Sequence, residues 1–239
     1  MTTEDQEYAE LKADELAAYV WDKHHEFHYT GLTAQPEEAL KMALECKGKP
    51  AFITDSGDNV TSGATGWNTF ILRQVLAMKK PAKSFLFANI CDPVTWAQLN
   101  PLPLGTKTHI KLGVNHDELS RSVELDVTVL QKGELHGYSV HDHSAVFGYT
   151  VLVHLEGTNI DVNVASYRTV MCEHHQFIAA NIDWDAYDII VVKQGYIFPE
   201  CKEKSAFSVM SLTGGATPQD TAHIPFKLIM RPMYPIDNI

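Results

Sequence analysis

Apolar and polar residues recur along this chain with two different periods, and the period changes at recognisable points. In residues 4–27, Ala13, Leu16, Ala17, Val20 and Trp21 fall at helical spacing, which predicts a helix with acidic residues in its first turn. Pro36 opens a second helix over 37–46, and Gly48 and Pro50 close it. The apolar run 51–54, bounded by turn residues, predicts a buried strand. Ile71, Leu72, Val75 and Leu76 share one face of a helix over 68–78, and 85–90 predicts a second buried strand. Asp92 and Pro93 begin a further helix, as cap and first residue. The β-α-β-α order over 51–99 is the mark of a parallel sheet.

The middle of the chain changes period. Ile110 and Leu112 flank Lys111, and Leu125, Val127 and Val129 alternate with Asp126 and Thr128. Tyr149, Val151, Val153 and Leu155 share one face, and Ile160, Val162 and Val164 alternate with polar residues after a turn at 156–159. That period of two predicts antiparallel strands over 107–170. The apolar period returns to continuous runs at 187–192 and 207–212. The tail from Arg231 to Asp237 holds too many prolines for regular structure. The fold class is α/β: a mixed sheet with flanking helices and a β-rich antiparallel middle segment. A helical segment, 1–48, precedes an α/β domain, 49–239.

Composition narrows the partners. The 239 residues carry a formal net charge of −11, and no basic stripe with interleaved aromatics is present, which argues against nucleic acid. No apolar run reaches the length of a membrane helix, and the polar N-terminus resembles neither a secretory nor a transit signal, so a cytoplasmic protein with no membrane partner is expected. Cys46, Cys91, Cys172 and Cys201 are too widely spaced for a zinc ribbon or a dense disulfide framework.

The densest candidate chemistry is the loop Asp55-Ser56-Gly57-Asp58-Asn59, which follows the first buried strand. Ligands of parallel sheets sit beyond the carboxyl ends of strands, where Lys193 and Gly195 also emerge. Two carboxylates and an amide suit a hard cation, a helix N-terminus suits an anion, and the same residue types also cap helices and shape turns. Neither nucleotide-binding glycine fingerprint is present. Among 12 histidines, His141 and His143 form H-x-H, and His174 and His175 follow Glu173; with a carboxylate, such a set has the donors of a zinc site. Hydrogen-bonded or exposed histidines are the alternative. No G-x-S-x-G elbow marks a serine hydrolase, and a cysteine nucleophile at Cys201 would need an activating base.

Several segments occur together in a telling order: ITDSGDNVTSGATGWNTFILRQVL, ANICDP, DIIVVKQGYIFPE, SLTGGATPQD and the ending RPMYPID. Together they resemble the C-terminal domain of the microcystinase C (MlrC) family of zinc metallopeptidases, over residues 11–237. The resemblance implies hydrolysis of peptide or amide bonds. It also implies that the family's zinc ligands lie in a preceding N-terminal domain, so no residue here takes a family zinc-ligand role. Asp55, Asp58, Asn59, Gly63, Lys193, Gly195 and Arg231 match the family pattern and are expected to face a cleft. Trp67 and Ile197 stand where relatives commonly carry Asp and His, and neither side chain ligates a cation or moves a proton. Three readings follow: a domain completing a cleft whose metal comes from a separate domain or chain; an independent module for a small ligand or cation; and a new metal site built from the histidines. A domain of this kind would expose an apolar face, which makes a homo-oligomer a further expectation.

Overall fold

The side chain of Asp5 accepts a hydrogen bond from the Tyr8 N–H and starts helix α1 (Gln6–Asp22). The computed structural model describes residues 4–78, 81–139 and 142–239. The predicted first helix stops early: Lys23 closes α1, and His24–Glu26 form a single 3-10 turn. No residue of α1 is buried, so the apolar positions at helical spacing do not form a covered face. The chain divides into two compact units, Met1–Thr30 with Thr221–Ile239, and Gly31–Asp220. The proline-rich tail has no strand or α-helix among its described residues, as expected.

The unit Gly31–Asp220 follows the predicted alternation. β1 (Thr33–Ala34) leads to α2 (Pro36–Glu45), with Pro36 at its first position. β2 (Ala51–Asp55) is buried throughout and is followed by α3 (Phe70–Ala77), β3 (Phe85–Cys91) and α4 (Pro93–Leu99). Asp92 caps α4 by accepting from the Thr95 N–H at 3.0 Å. The antiparallel segment contains β4 (Lys107–Leu112), β5 (Val123–His136), β6 (Val146–Leu155) and β7 (Ile160–Ala165). The chain then runs through α5 (His174–Ala179), β8 (Ile189–Val192), α6 (Pro199–Lys204) and β9 (Phe207–Ser211).

The described strands form one mixed sheet in the order β1-β9-β2-β8-β3-β7-β6-β5-β4. Neighbours from β1 through β7 are parallel, and the pairs β7–β6, β6–β5 and β5–β4 are antiparallel. β8 lies between β2 and β3, pairing Ile190 with both Phe52 and Leu86. Successive residues of a strand point to opposite faces. Ile53, Phe85, Phe87 and Val191 accordingly pack on one face with Leu40, Leu72 and Leu99 from the helices. Phe52, Leu86, Ile190 and Val192 pack on the other with Phe177, Trp184 and Cys201. Burial on both faces explains why these strands are continuously apolar rather than alternating.

The topology brings several strand ends to one edge of the sheet. β2, β3, β7, β8 and β9 all end there. β6 begins there, because it runs antiparallel to β7, and β5 ends there in turn.

Candidate functional site

Asp55 is the last residue of β2 and pairs in register with Ser211 of β9, while Lys193 directly follows β8. The sheet thus brings the acidic loop and Lys193 together, as the strand-end argument predicts. Asp55, Asp58 and Lys193 are 1%, 2% and 4% exposed. The Lys193 ammonium donates to Asp55 Oδ2 at 2.8 Å and to the Asn68 carbonyl at 2.6 Å, and lies 3.0 Å from Asp58 Oδ2. Burial disfavours the charged amine, but the two carboxylates outweigh it and hold Lys193 above the usual lysine value.

The carboxylates are occupied as well. Asp58 accepts from the Gly66 N–H at 2.9 Å and from the Asn68 N–H at 2.8 Å, and Asp55 accepts from the Thr213 hydroxyl. Asn59 accepts from the Thr61 N–H and hydroxyl and donates to Ser62 Oγ. All three ammonium protons therefore have acceptors within the fold. The acidic loop does not run straight into a helix: two 3-10 turns, Ser56–Asp58 and Val60–Ser62, intervene before α3.

The two glycine-bearing signatures interlock. The Gly57 N–H donates to Thr213 Oγ1 at 2.9 Å, Thr217 donates from its N–H to the Gly57 carbonyl at 3.0 Å, and Ser56 Oγ donates to the Ser211 carbonyl at 2.7 Å. A Cβ on Gly57 would lie 2.1 Å from the Gly214 carbonyl oxygen, so only glycine permits this approach. Gly63 has φ +105 and its carbonyl accepts from Arg168. Gly195 packs beside the Asn59 amide. Arg231 belongs to the other compact unit, where its Nε donates to Asp237 Oδ2 at 2.5 Å and its Nη2 to Oδ1.

The histidines divide. His143 and His175 stack with ring centroids 4.5 Å apart, while His174 stacks on Trp184. His175 Nδ1 lies 3.5 Å from Glu173 Oε2, and His143 Nε2 lies 4.0 Å from it. His175 Nε2 donates to the Gly137 carbonyl at 2.8 Å, and the Ser139 N–H donates to Glu173 Oε1 at 3.2 Å, so this pair pins the segment after β5. His141 lies outside the described residues. Among the described residues, no group of three or more His, Cys, Asp or Glu is placed to hold a metal ion.

The three buried cysteines are poor nucleophiles. Burial first, and then nearby carboxylates, pushes the Cys91 thiol to about 11 and the Cys201 thiol to about 12, and Cys172 moves in the same direction. Cys201 donates its S–H to the Cys172 carbonyl.

Beside the occupied network lies a cavity of about 270 Å³, lined by Val60, Thr61, Gly137, Tyr138, Phe147, Tyr167, Arg168, Thr169 and Val170. Its walls come from the segments that follow β2, β5 and β7 and from the start of β6, all at the same edge of the sheet. Val60 and Thr61 directly follow the acidic loop, so the Lys193 network positions the backbone of one wall. The Glu173–His175 pair positions another, through Gly137 and Ser139. Arg168 and its aromatic neighbours were not singled out by sequence reasoning. Their signal is the polar stretch Ser166–Thr169 at the end of β7, and it has meaning only once β7 is known to run parallel to β3.

The family model for the MlrC C-terminus matches residues 53–228. The chain belongs to the MlrC C-terminal family. No curated protein matches it. A solved structure from Mesorhizobium sp. BNC1, described as a "putative metallopeptidase", superimposes with a TM-score of 0.74 at 18% identity. It covers 94% of this chain, and this chain covers 45% of it, so the MlrC C-terminal chain described here spans less than half of that protein. Identity at that level speaks to the fold. Among the described residues no helix is long and apolar enough to cross a membrane.

Proposed function

We propose that this MlrC C-terminal domain completes a peptidase cleft, supplying a substrate-facing wall while zinc and the groups that activate water come from another domain or chain. The observation that carries this reading is the state of the signature residues. Asp55, Asp58 and Lys193 are buried and matched to one another, with their polar atoms spent inside the fold. Groups in that state hold a scaffold in shape and are not free to bind metal or exchange protons with a substrate. Family membership and the share of the metallopeptidase-like structure that the chain covers support the same reading. Peptide or amide hydrolysis is the activity it assigns to the completed cleft.

The test uses purified chain and a fluorogenic linear peptide, with and without added zinc, and then with a metal-binding domain of the same family added in trans. The expected result is no zinc-dependent cleavage by the chain alone and cleavage once the second domain is present. Chelator-sensitive hydrolysis by the chain alone would overturn the proposal.

A further inference from the structure

Arg168 is the one cationic side chain among the residues lining the edge cavity, and three of its five N–H donors are unspent among the described residues. Its Nη1 donates to the carbonyls of Gly63 at 3.2 Å and Ala64 at 3.3 Å. These two bonds fix the guanidinium in place. Nε and Nη2 have no partner among the described residues. Those two atoms form the side-on fork that receives a carboxylate with two parallel hydrogen bonds. The same chain shows that use of the fork: Arg231 presents its Nε and Nη2 to the two oxygens of Asp237.

The Thr61 hydroxyl, on the same lining, is already spent on Asn59 Oδ1. Aromatic and aliphatic side chains make up most of the remaining wall. Tyr138, Phe147, Tyr167, Val60 and Val170 surround the space, and Phe147 and Tyr167 remain 43% and 52% exposed. A half-exposed aromatic rim beside a fixed cation suits a ligand with an apolar side chain next to an anionic group.

We propose that this cavity binds the free carboxylate end of a peptide, with Arg168 clamping the carboxylate and the aromatic walls taking the last side chain. The proposal deepens the cleft-completing reading, on which its choice of a peptide rests. A volume of about 270 Å³ accommodates one terminal residue rather than a long segment. The carboxylate fork supplies selectivity, because an uncharged terminus leaves the Arg168 fork without a matching acceptor.

The experiment is calorimetric titration of the full chain with N-acetyl-L-phenylalanine, compared with its terminal amide, with N-acetylglycine and with inorganic phosphate. The carboxylate is expected to bind, and the amide to bind about tenfold more weakly or not at all. N-acetylglycine is expected to lose about tenfold for want of an apolar side chain. Arg168→Gln is expected to weaken binding by about tenfold or more, and Arg168→Lys to restore little because the fork is lost. Circular dichroism melting of each variant checks that the fold is intact. No binding to the wild-type chain, equal binding of acid and amide, phosphate binding as tightly as N-acetylphenylalanine, or an Arg168→Gln variant that binds unchanged would each overturn the proposal. The titration involves neither metal nor hydrolysis. Failure of reconstituted cleavage would therefore leave this result standing, and a failed titration would leave the cleft-completing reading to its own test.

Discussion

The Lys193 ammonium lies 2.8 Å from Asp55 Oδ2 across two parallel strands that are neighbours in the sheet but 138 residues apart in the chain. One cation faces two buried carboxylates, and backbone N–H groups supply the rest of the compensation. Such a network contributes more to fixing one arrangement than to net stability, and its weak point is the loss of one member.

Replacing Lys193 by Met is therefore expected to destabilise the chain by about 3–5 kcal/mol, because Asp55 and Asp58 then lie buried without a counter-charge. Urea unfolding at neutral pH measures this. The pH dependence has a definite sign. The folded value of Lys193 is raised, so its contribution is complete below the ordinary lysine value of about 10.4 and is lost as pH rises through the folded value. On the alkaline side, the gap in stability between wild type and Lys193→Met should narrow only above that pH; narrowing at pH 8 would contradict the assignment.

Gly57 and Gly63 separate two uses of glycine. An Ala at 57 drives a methyl group into the Thr213 and Gly214 backbone, which cannot rotate aside. Gly57→Ala should cost toward the upper end of about 1–3 kcal/mol. At Gly63 nothing lies within 4 Å of the added Cβ, and only the positive φ is strained, so Gly63→Ala should cost about 1 kcal/mol. Denaturation midpoints of the two variants in parallel give the ranking, and the reverse order would show that the signature loops do not interlock as described.

Asp188 joins the starts of β8 and β3. It accepts from the Ser84 N–H at 2.9 Å and from the Ser84 hydroxyl at 3.0 Å. Those bonds, with Lys49 and Lys83 nearby, hold its carboxyl below the usual aspartate value. A depressed group stabilises above its unfolded value of about 3.9, and that contribution is lost as pH falls through the folded value. Asp188→Asn should cost about 1 kcal/mol at pH 7, and the cost should shrink as the pH is lowered below the ordinary aspartate value, read from melting temperatures across that range.

Thiol reactivity offers a direct check on the core. Cys91, Cys172 and Cys201 are buried with raised thiol values, and Cys46 is part-exposed. Ellman's reagent should modify Cys46 rapidly in the native chain and the other three only after denaturant is added. Fast native labelling at Cys201 would show that its site opens.

Much of this architecture was readable from pattern. Runs such as Ala51–Asp55 and Phe85–Cys91 are apolar on both faces because helices cover both sides of the sheet, and that burial is written into composition. The alternation around Val127 and Val153 likewise announced the antiparallel segment. Caps and proline starts marked α2 and α4, since they act through local hydrogen bonds. Helix α1 shows the reverse case: apolar residues at helical spacing did not mean a buried face, because periodicity describes one helix and burial requires a partner surface.

The acidic loop shows where local reading stops. Residue types made Asp55-Ser56-Gly57-Asp58-Asn59 conspicuous and placed it at a strand end, and that much is a property of the chain taken alone. Whether its carboxylates faced a ligand or the protein depended on β8 settling between β2 and β3, which delivers Lys193 to them. In the same way, Arg168 acquired a cavity only because β7 runs parallel to β3 and so ends at the same edge. Short-range chemistry survives in sequence because its partners are a few residues apart. Charge compensation and cavity walls do not, because strand order decides which distant residues share a neighbourhood.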